Sequence, residues 1–307
     1  MDELKQEVVR TLLYFDIFSH PLRTEEIHRF CRLRATPSEI SSAIKQLLKE
    51  GQIFRVGDYY LVQKRADWMK EREAKHTYSL ERMKKARQLA RIIGQFPFVR
   101  GVAISGSLSK YSADSNADID YFIICQAGRL WISRSLLHLF KKLTFIVGMQ
   151  HYFCMNYFLD YDELELKDKN LYTALESATL IPMYGSDSYS EFFQRNSWIR
   201  DYFPNHDLQE KLKAPMAGKQ SAVKRLVETL IFGKLSHYLN NGLRHLTVWW
   251  WRNKFRWQGF PMQYFDQDLR STRGESKYHP HDYQRLILAS YWKRVRMFEE
   301  RVSSKAV

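Results

Sequence analysis

Cysteine is scarce: Cys31, Cys125 and Cys154 are the three in 307 residues, odd in number, unclustered and set in apolar surroundings. That usage argues against a disulfide framework and against a thiolate metal cluster, and it fits reduced core thiols of a cytoplasmic protein. Long apolar runs are lacking as well. No stretch reaches the roughly 18 residues that a bilayer crossing needs, and the chain starts with mixed charges rather than a basic-then-apolar leader, so a soluble protein without a membrane span is expected. No internal repeat or low-complexity tract stands out, and wholesale disorder is not expected. Acidic residues are the remaining shortage: 34 Asp and Glu face 48 Lys and Arg, a formal net charge of +14. The excess suits an anionic substrate or a polyanionic partner such as nucleic acid, and much of it lies at 64–91 and 244–256. What is plentiful is core material. With 45% hydrophobic and 15% aromatic residues, the chain has enough to fill two or three domains.

Residues 101–125, GVAISGSLSKYSADSNADIDYFIIC, carry the densest chemical signal. The first five read as a buried strand, and Gly106-Ser107 then turns the chain into a helix start, where free backbone N–H groups attract phosphate. About ten residues later, Asp118-Ile119-Asp120 opens a second strand over 118–125. Alternation puts both carboxylates on one face of that strand and Ile119 on the other. Two such carboxylates suit Mg²⁺, which takes a few carboxylate oxygens together with water and substrate phosphates.

An apolar strand, Gly-Ser, a spacer and then Asp-apolar-Asp with a second apolar strand resembles the signature of the DNA polymerase beta-like nucleotidyltransferase superfamily, over roughly 25 of the 307 residues. The resemblance implies that Gly106 and Ser107 hold the β- and γ-phosphates of a nucleoside triphosphate. It also implies that Asp118 and Asp120 ligate Mg²⁺ or Mn²⁺ and align the α-phosphate, with Ser105 and Lys110 as further nucleotide contacts. Catalytic members of the superfamily usually add a third carboxylate on a later strand. Here the run HYFCMNYFL, 151–159, offers Asn156, which can coordinate or hydrogen-bond but cannot act as a base at neutral pH. Asp160, Asp162 and Glu176 are the alternatives. The implied reaction moves a nucleoside monophosphate to an acceptor hydroxyl on a small molecule, a protein or an RNA, releasing pyrophosphate. The missing carboxylate keeps open a non-catalytic nucleotide sensor that binds DNA or a protein partner.

The expected fold is α+β: an N-terminal winged helix over 1–64, a connector helix over 65–95, a nucleotidyltransferase domain with a small mixed sheet over 96–203, and a C-terminal helical region over 204–307. Three helical patterns precede a two-strand hairpin, with Thr36 placed to cap the third helix. That helix, PSEISSAIKQLLKE, has two Lys against two Glu and no Arg, a poor charge set for reading DNA. Residues 130–147 read as an amphipathic helix whose Arg134 is a candidate triphosphate contact, and 170–184 read as one helix ended by Pro182 and Gly185. Pro204-Asn205 and 213–218 read as boundaries. Two further motifs stand apart. TVWWWRNKFRW, 247–257, could stack on bases, face an anionic membrane or pack internally, and SKYHPHD, 276–282, could be a metal clip through His279 and His281, a base, or a helix cap.

Overall fold

Three short amphipathic helices, α1 (Glu3–Asp16), α2 (Thr24–Phe30) and α3 (Pro37–Lys49), lead into an antiparallel hairpin of β1 (Phe54–Val56) and β2 (Tyr59–Leu61). The computed structural model describes residues 2–208, 210–213, 220–231, 233–280 and 282–305. Helix α3 starts where it does because of a capping box: Thr36 Oγ1 accepts from the Glu39 N–H at 3.3 Å, and the Glu39 carboxylate accepts from the Thr36 N–H at 2.7 Å. Its buried stripe, Ile40, Ala43, Ile44 and Leu47, packs on α1 and α2.

A single long helix, α4 (Ala66–Gly94), follows. Near its start Arg72 donates to the Pro21 carbonyl and pairs with Glu26 at 2.6 Å, which ties it to the N-terminal helices. Near its end Ala86, Leu89, Ala90 and Ile93 pack against the sheet, whereas Ile92 is exposed.

The sheet contains β3 (Val99–Ser105), β4 (Asp120–Cys125), β5 (Cys154–Asp160), β6 (Ile181–Tyr184) and β7 (Glu275–Lys277), in the spatial order β6-β3-β4-β5-β7. Only β4 and β5 run parallel, joined by the crossover helix α6 (Leu130–Thr144). Alternation splits the side chains between two cores. Val102, Ile104, Tyr121, Ile123 and Phe158 meet α4 and α6, while Ala103, Phe122, Ile124 and Leu159 meet α7 (Leu171–Ala178) and α8 (Ser186–Arg195). The second core continues without a break into α1, α2, α3 and α13 (Tyr283–Lys305).

The architecture is therefore mixed α+β with a small mixed sheet and a largely helical C-terminal part, and it departs from the sequence expectations in several places. Residues 170–184 are not one helix: α7 stops at Ala178, and β6 carries Pro182 on the sheet edge, where a missing N–H is tolerated. The strand expected over 118–125 begins at Asp120, although Ile119 already bonds to His151 and Cys154 through its backbone. The C-terminal region supplies an unexpected strand, β7, along the other edge. At the boundary expected at Pro204-Asn205, the Asn205 side chain bonds to the Ala35 N–H and the His28 and Leu33 carbonyls. The boundary expected over 213–218 falls, apart from residue 213, outside the described residues. The remaining helices are α5 (Gly106–Ser109), α9 (Ile199–Tyr202), α10 (Ala222–Leu230), α11 (Lys234–Trp257) and α12 (Phe265–Asp268).

Candidate functional site

A cavity of about 630 Å³ opens at the end of the sheet where β3 stops and β4 begins. Ser105, Gly106, Ser107, Lys110, Asp118, Asp120 and Asn156 all line it. The geometry follows from the strands. Asp120 and Phe122 share the face of β4 that looks into the cavity, Asp118 lines it from just ahead of the strand, and Ile119 is fully buried on the other side.

Gly106 sits directly over the second carboxylate. Its φ of +67° is the left-handed conformation that favours glycine, and a Cβ added there would lie 2.4 Å from Asp120 Oδ2. The expected helix start is a single turn, α5, so any anion would meet local N–H groups rather than a long helix dipole. Lys110 turns back across this floor, donating to the Gly106 carbonyl at 3.1 Å and pairing with Glu176 Oε2 at 2.9 Å.

Asn156 donates its Nδ2 hydrogen to Asp120 Oδ1 at 3.0 Å. It reaches there through a bulge: Tyr121 pairs with Met155 and Phe122 with Tyr157, so Asn156 is the extra residue and both it and Tyr157 line the cavity. Burial pushes the Asp120 carboxyl up to about 6; the Cys154 thiol acts against that, and the negative charges of Asp118 and Glu176 add to it. Asp118 is more open and meets His151 Nδ1 at 3.0 Å.

Of the alternative acids, Glu176 on α7 lines the cavity, whereas Asp160 lies at the far end of β5. There its carboxylate accepts from the Gly128 and Asp162 N–H groups, and burial pushes it up to about 6. Asp162 is exposed beside it and outside the cavity lining. Among the described residues, no three or more His, Cys, Asp or Glu are grouped to hold a metal by themselves.

Arg134 does not reach the cavity: it is buried between the rings of Trp131 and Trp251, at 5.4 and 4.6 Å. In SKYHPHD, Asp282 accepts from the Arg285 N–H at 3.3 Å and caps α13. His279 lines the cavity, and burial holds its imidazole down to about 4. His281 lies outside the described residues. The 247–257 motif divides: Trp251 and Phe255 are buried, while Trp249, Trp250 and Trp257 are exposed.

Sequence reasoning missed the rest of the wall. Phe15, Phe18 and His20, at the end of α1, and Tyr283, Gln284 and Ile287, at the start of α13, close the cavity from opposite ends of the chain. Nothing local marks them, because they are brought together only by the tertiary fold. No protein-family model matches the chain, and neither the curated proteins nor the solved structures searched give a match.

Proposed function

We propose that the chain is a nucleotidyltransferase that uses Mg²⁺ or Mn²⁺ to move a nucleoside monophosphate from a triphosphate to an acceptor hydroxyl. One observation carries the reading: the Gly106 turn presses against Asp120, leaving no room for a Cβ, at the mouth of a cavity that Asp118 also lines. That packing brings the Gly-Ser turn and a carboxylate pair within one site.

The donor set fits the metal. Asp118 and Asp120 offer hard oxygen ligands, and their number leaves coordination positions for water and triphosphate oxygens, as Mg²⁺ prefers. When bound, the ion would neutralise charge on the phosphates and help align the acceptor oxygen with the α-phosphate. The chain's own groups do the rest: Gly106 and Ser107 seat the phosphates, Lys110 supplies positive charge, and Asn156 fixes the orientation of Asp120. Glu176, the one of the expected alternative acids that lines the cavity, would accept the acceptor's proton on leaving its pairing with Lys110.

A second reading rests on Asn156. Because an amide stands where catalytic relatives of such a signature usually carry a third acid, the same cavity could bind nucleotide without turnover, with the N-terminal helices and hairpin as a winged-helix module that answers to it.

Incubation of the purified protein with each α-labelled NTP, Mg²⁺ or Mn²⁺ and a cell extract as acceptor pool tests the two. Wild type should transfer label, and Asp118→Asn or Asp120→Asn should lower transfer by at least about a hundredfold. The Asp120→Asn protein should remain folded and melt no lower than wild type at neutral pH. The carboxyl's folded pKa stands above its unfolded value, so the ionised form costs stability once pH rises through about 6, and the amide removes that cost. Normal transfer by either variant would end the metal assignment. Metal-dependent NTP binding without transfer would favour the sensor.

A further inference from the structure

Helix α10 is docked inside out. Its polar side faces the body: Lys224 is 1% exposed and donates to the Gly94 and Val99 carbonyls at 2.8 and 2.6 Å. Glu228 pairs with Arg100 at 2.8 Å and accepts from the Phe98 N–H. Its apolar side, Val223, Leu226 and Leu230, faces outward. Helix α11 also carries an outward apolar stripe, although its packed side is apolar as well. Leu235, Tyr238, Leu246, Trp249 and Trp257 are 59–91% exposed, and at about 100° per residue they fall on one stripe roughly a third of the circumference wide. The opposite side already packs: Trp251 and Phe255 join Phe265 and Leu269 in a small core of their own. The outer stripe lies outside that core.

We infer that α10 and α11 form a face that lies on an anionic membrane surface. Charge selects this occupant. Of the seven Lys and Arg between residues 220 and 265, Lys224 is buried and Arg252 pairs with Asp266, which leaves five against Glu228, an acid turned inward to Arg100. Arg225 and Arg256 are exposed on the same two helices as the apolar stripe. A second copy of the chain would bring a like-charged face against this one, whereas anionic headgroups meet the cations and the interfacial zone accepts the apolar stripe. Exposed Tyr and Trp on the stripe suit that zone, since their rings bury partway and their N–H or O–H stays hydrated. The helices lie on the surface rather than across it: among the described residues no helix is long and apolar enough to span a bilayer.

The test uses the full chain and vesicles of phosphatidylcholine, alone or with phosphatidylglycerol, followed by flotation and by tryptophan emission. Wild type should float with the phosphatidylglycerol vesicles, shift its emission to the blue, and release at high salt. Leu246→Glu with Trp249→Glu should weaken partitioning by more than about tenfold, since two large apolar side chains are lost from the contact. Arg225→Gln with Arg256→Gln should weaken it by about tenfold and flatten the salt dependence. Both pairs are on the surface, so their melting temperatures should match wild type. Failure of wild type to float with either vesicle, or equal flotation of the Leu246/Trp249 pair, would overturn the inference. So would a dimer by light scattering that the same pair dissolves, because the face would then belong to a second copy.

Discussion

Helices α3 and α10 are built alike and docked by opposite sides. Each is short and amphipathic, and each is opened by a hydroxyl cap, Thr36 for α3 and Ser221, which accepts from the Lys224 N–H at 3.1 Å, for α10. Helix α3 buries Ile40, Ile44 and Leu47 and turns Ser38, Ser42 and Lys45 to solvent, whereas α10 buries Lys224 and turns Leu226 and Leu230 outward. The pattern of a helix reports that it has an apolar side. Which side faces the body depends on the surface it lands on. Helix α3 lands on the apolar stripes of α1 and α2, while α10 lands on main-chain carbonyls and an N–H at the end of α4 and the start of β3, which only polar groups can satisfy.

The difference can be broken most decisively by matched truncations. Leu47→Ala should cost about 2–5 kcal/mol in a urea titration, by transfer and cavity terms together. Leu226→Ala, on the outward side of α10, should change stability by no more than about 0.5 kcal/mol. Equal costs would show that something covers α10. A smaller effect sharpens the contrast through pH. Burial pushes the Glu228 carboxyl up, yet the Arg100 guanidinium and the Phe98 N–H outweigh it and hold the carboxyl below its ordinary range. The stability it contributes is therefore present above the unfolded pKa and lost as pH falls through the lower folded value. Glu228→Gln should cost about 1–3 kcal/mol at neutral pH, and the gap from wild type should close towards pH 3 in the same titration; a gap that persisted there would remove the ion pair as its cause. Smallest are the caps. Thr36→Ala and Ser221→Ala should each cost about 1 kcal/mol, and a near-zero value for Ser221 alone would mean that α10 is held by its side chains and not by its N-terminus.

Much of the fold was legible wherever the signal was local. The Thr36 cap, the two-strand hairpin, and the Gly-Ser and Asp-Ile-Asp pairs need only a few neighbouring residues to be read, although the strand after the last begins at Asp120 and not Asp118. The misread elements depend on distant partners. Strand β7 has three residues and exists because Glu275, Ser276 and Lys277 pair with Leu159, Phe158 and Tyr157. Strand β6 reads as the tail of a helix until β3 takes it as an edge, after which Pro182 no longer conflicts. At the site, Asn156 was visible as the polar residue of its strand, but the bulge that turns it toward Asp120 was not. Phe15, Phe18 and Tyr283 left no trace, since nothing in their own neighbourhoods refers to a cavity.

The cavity is closed by the first and last helices of the described chain, α1 and α13, which are also joined by Arg294 to Asp16 at 3.1 Å. This arrangement puts the site on a clock. While the chain is being synthesised, β3, β4 and the Gly106 turn are all complete long before α13 emerges, yet the cavity still lacks a wall. A chain from which α13 has not yet emerged would have the carboxylates without that wall.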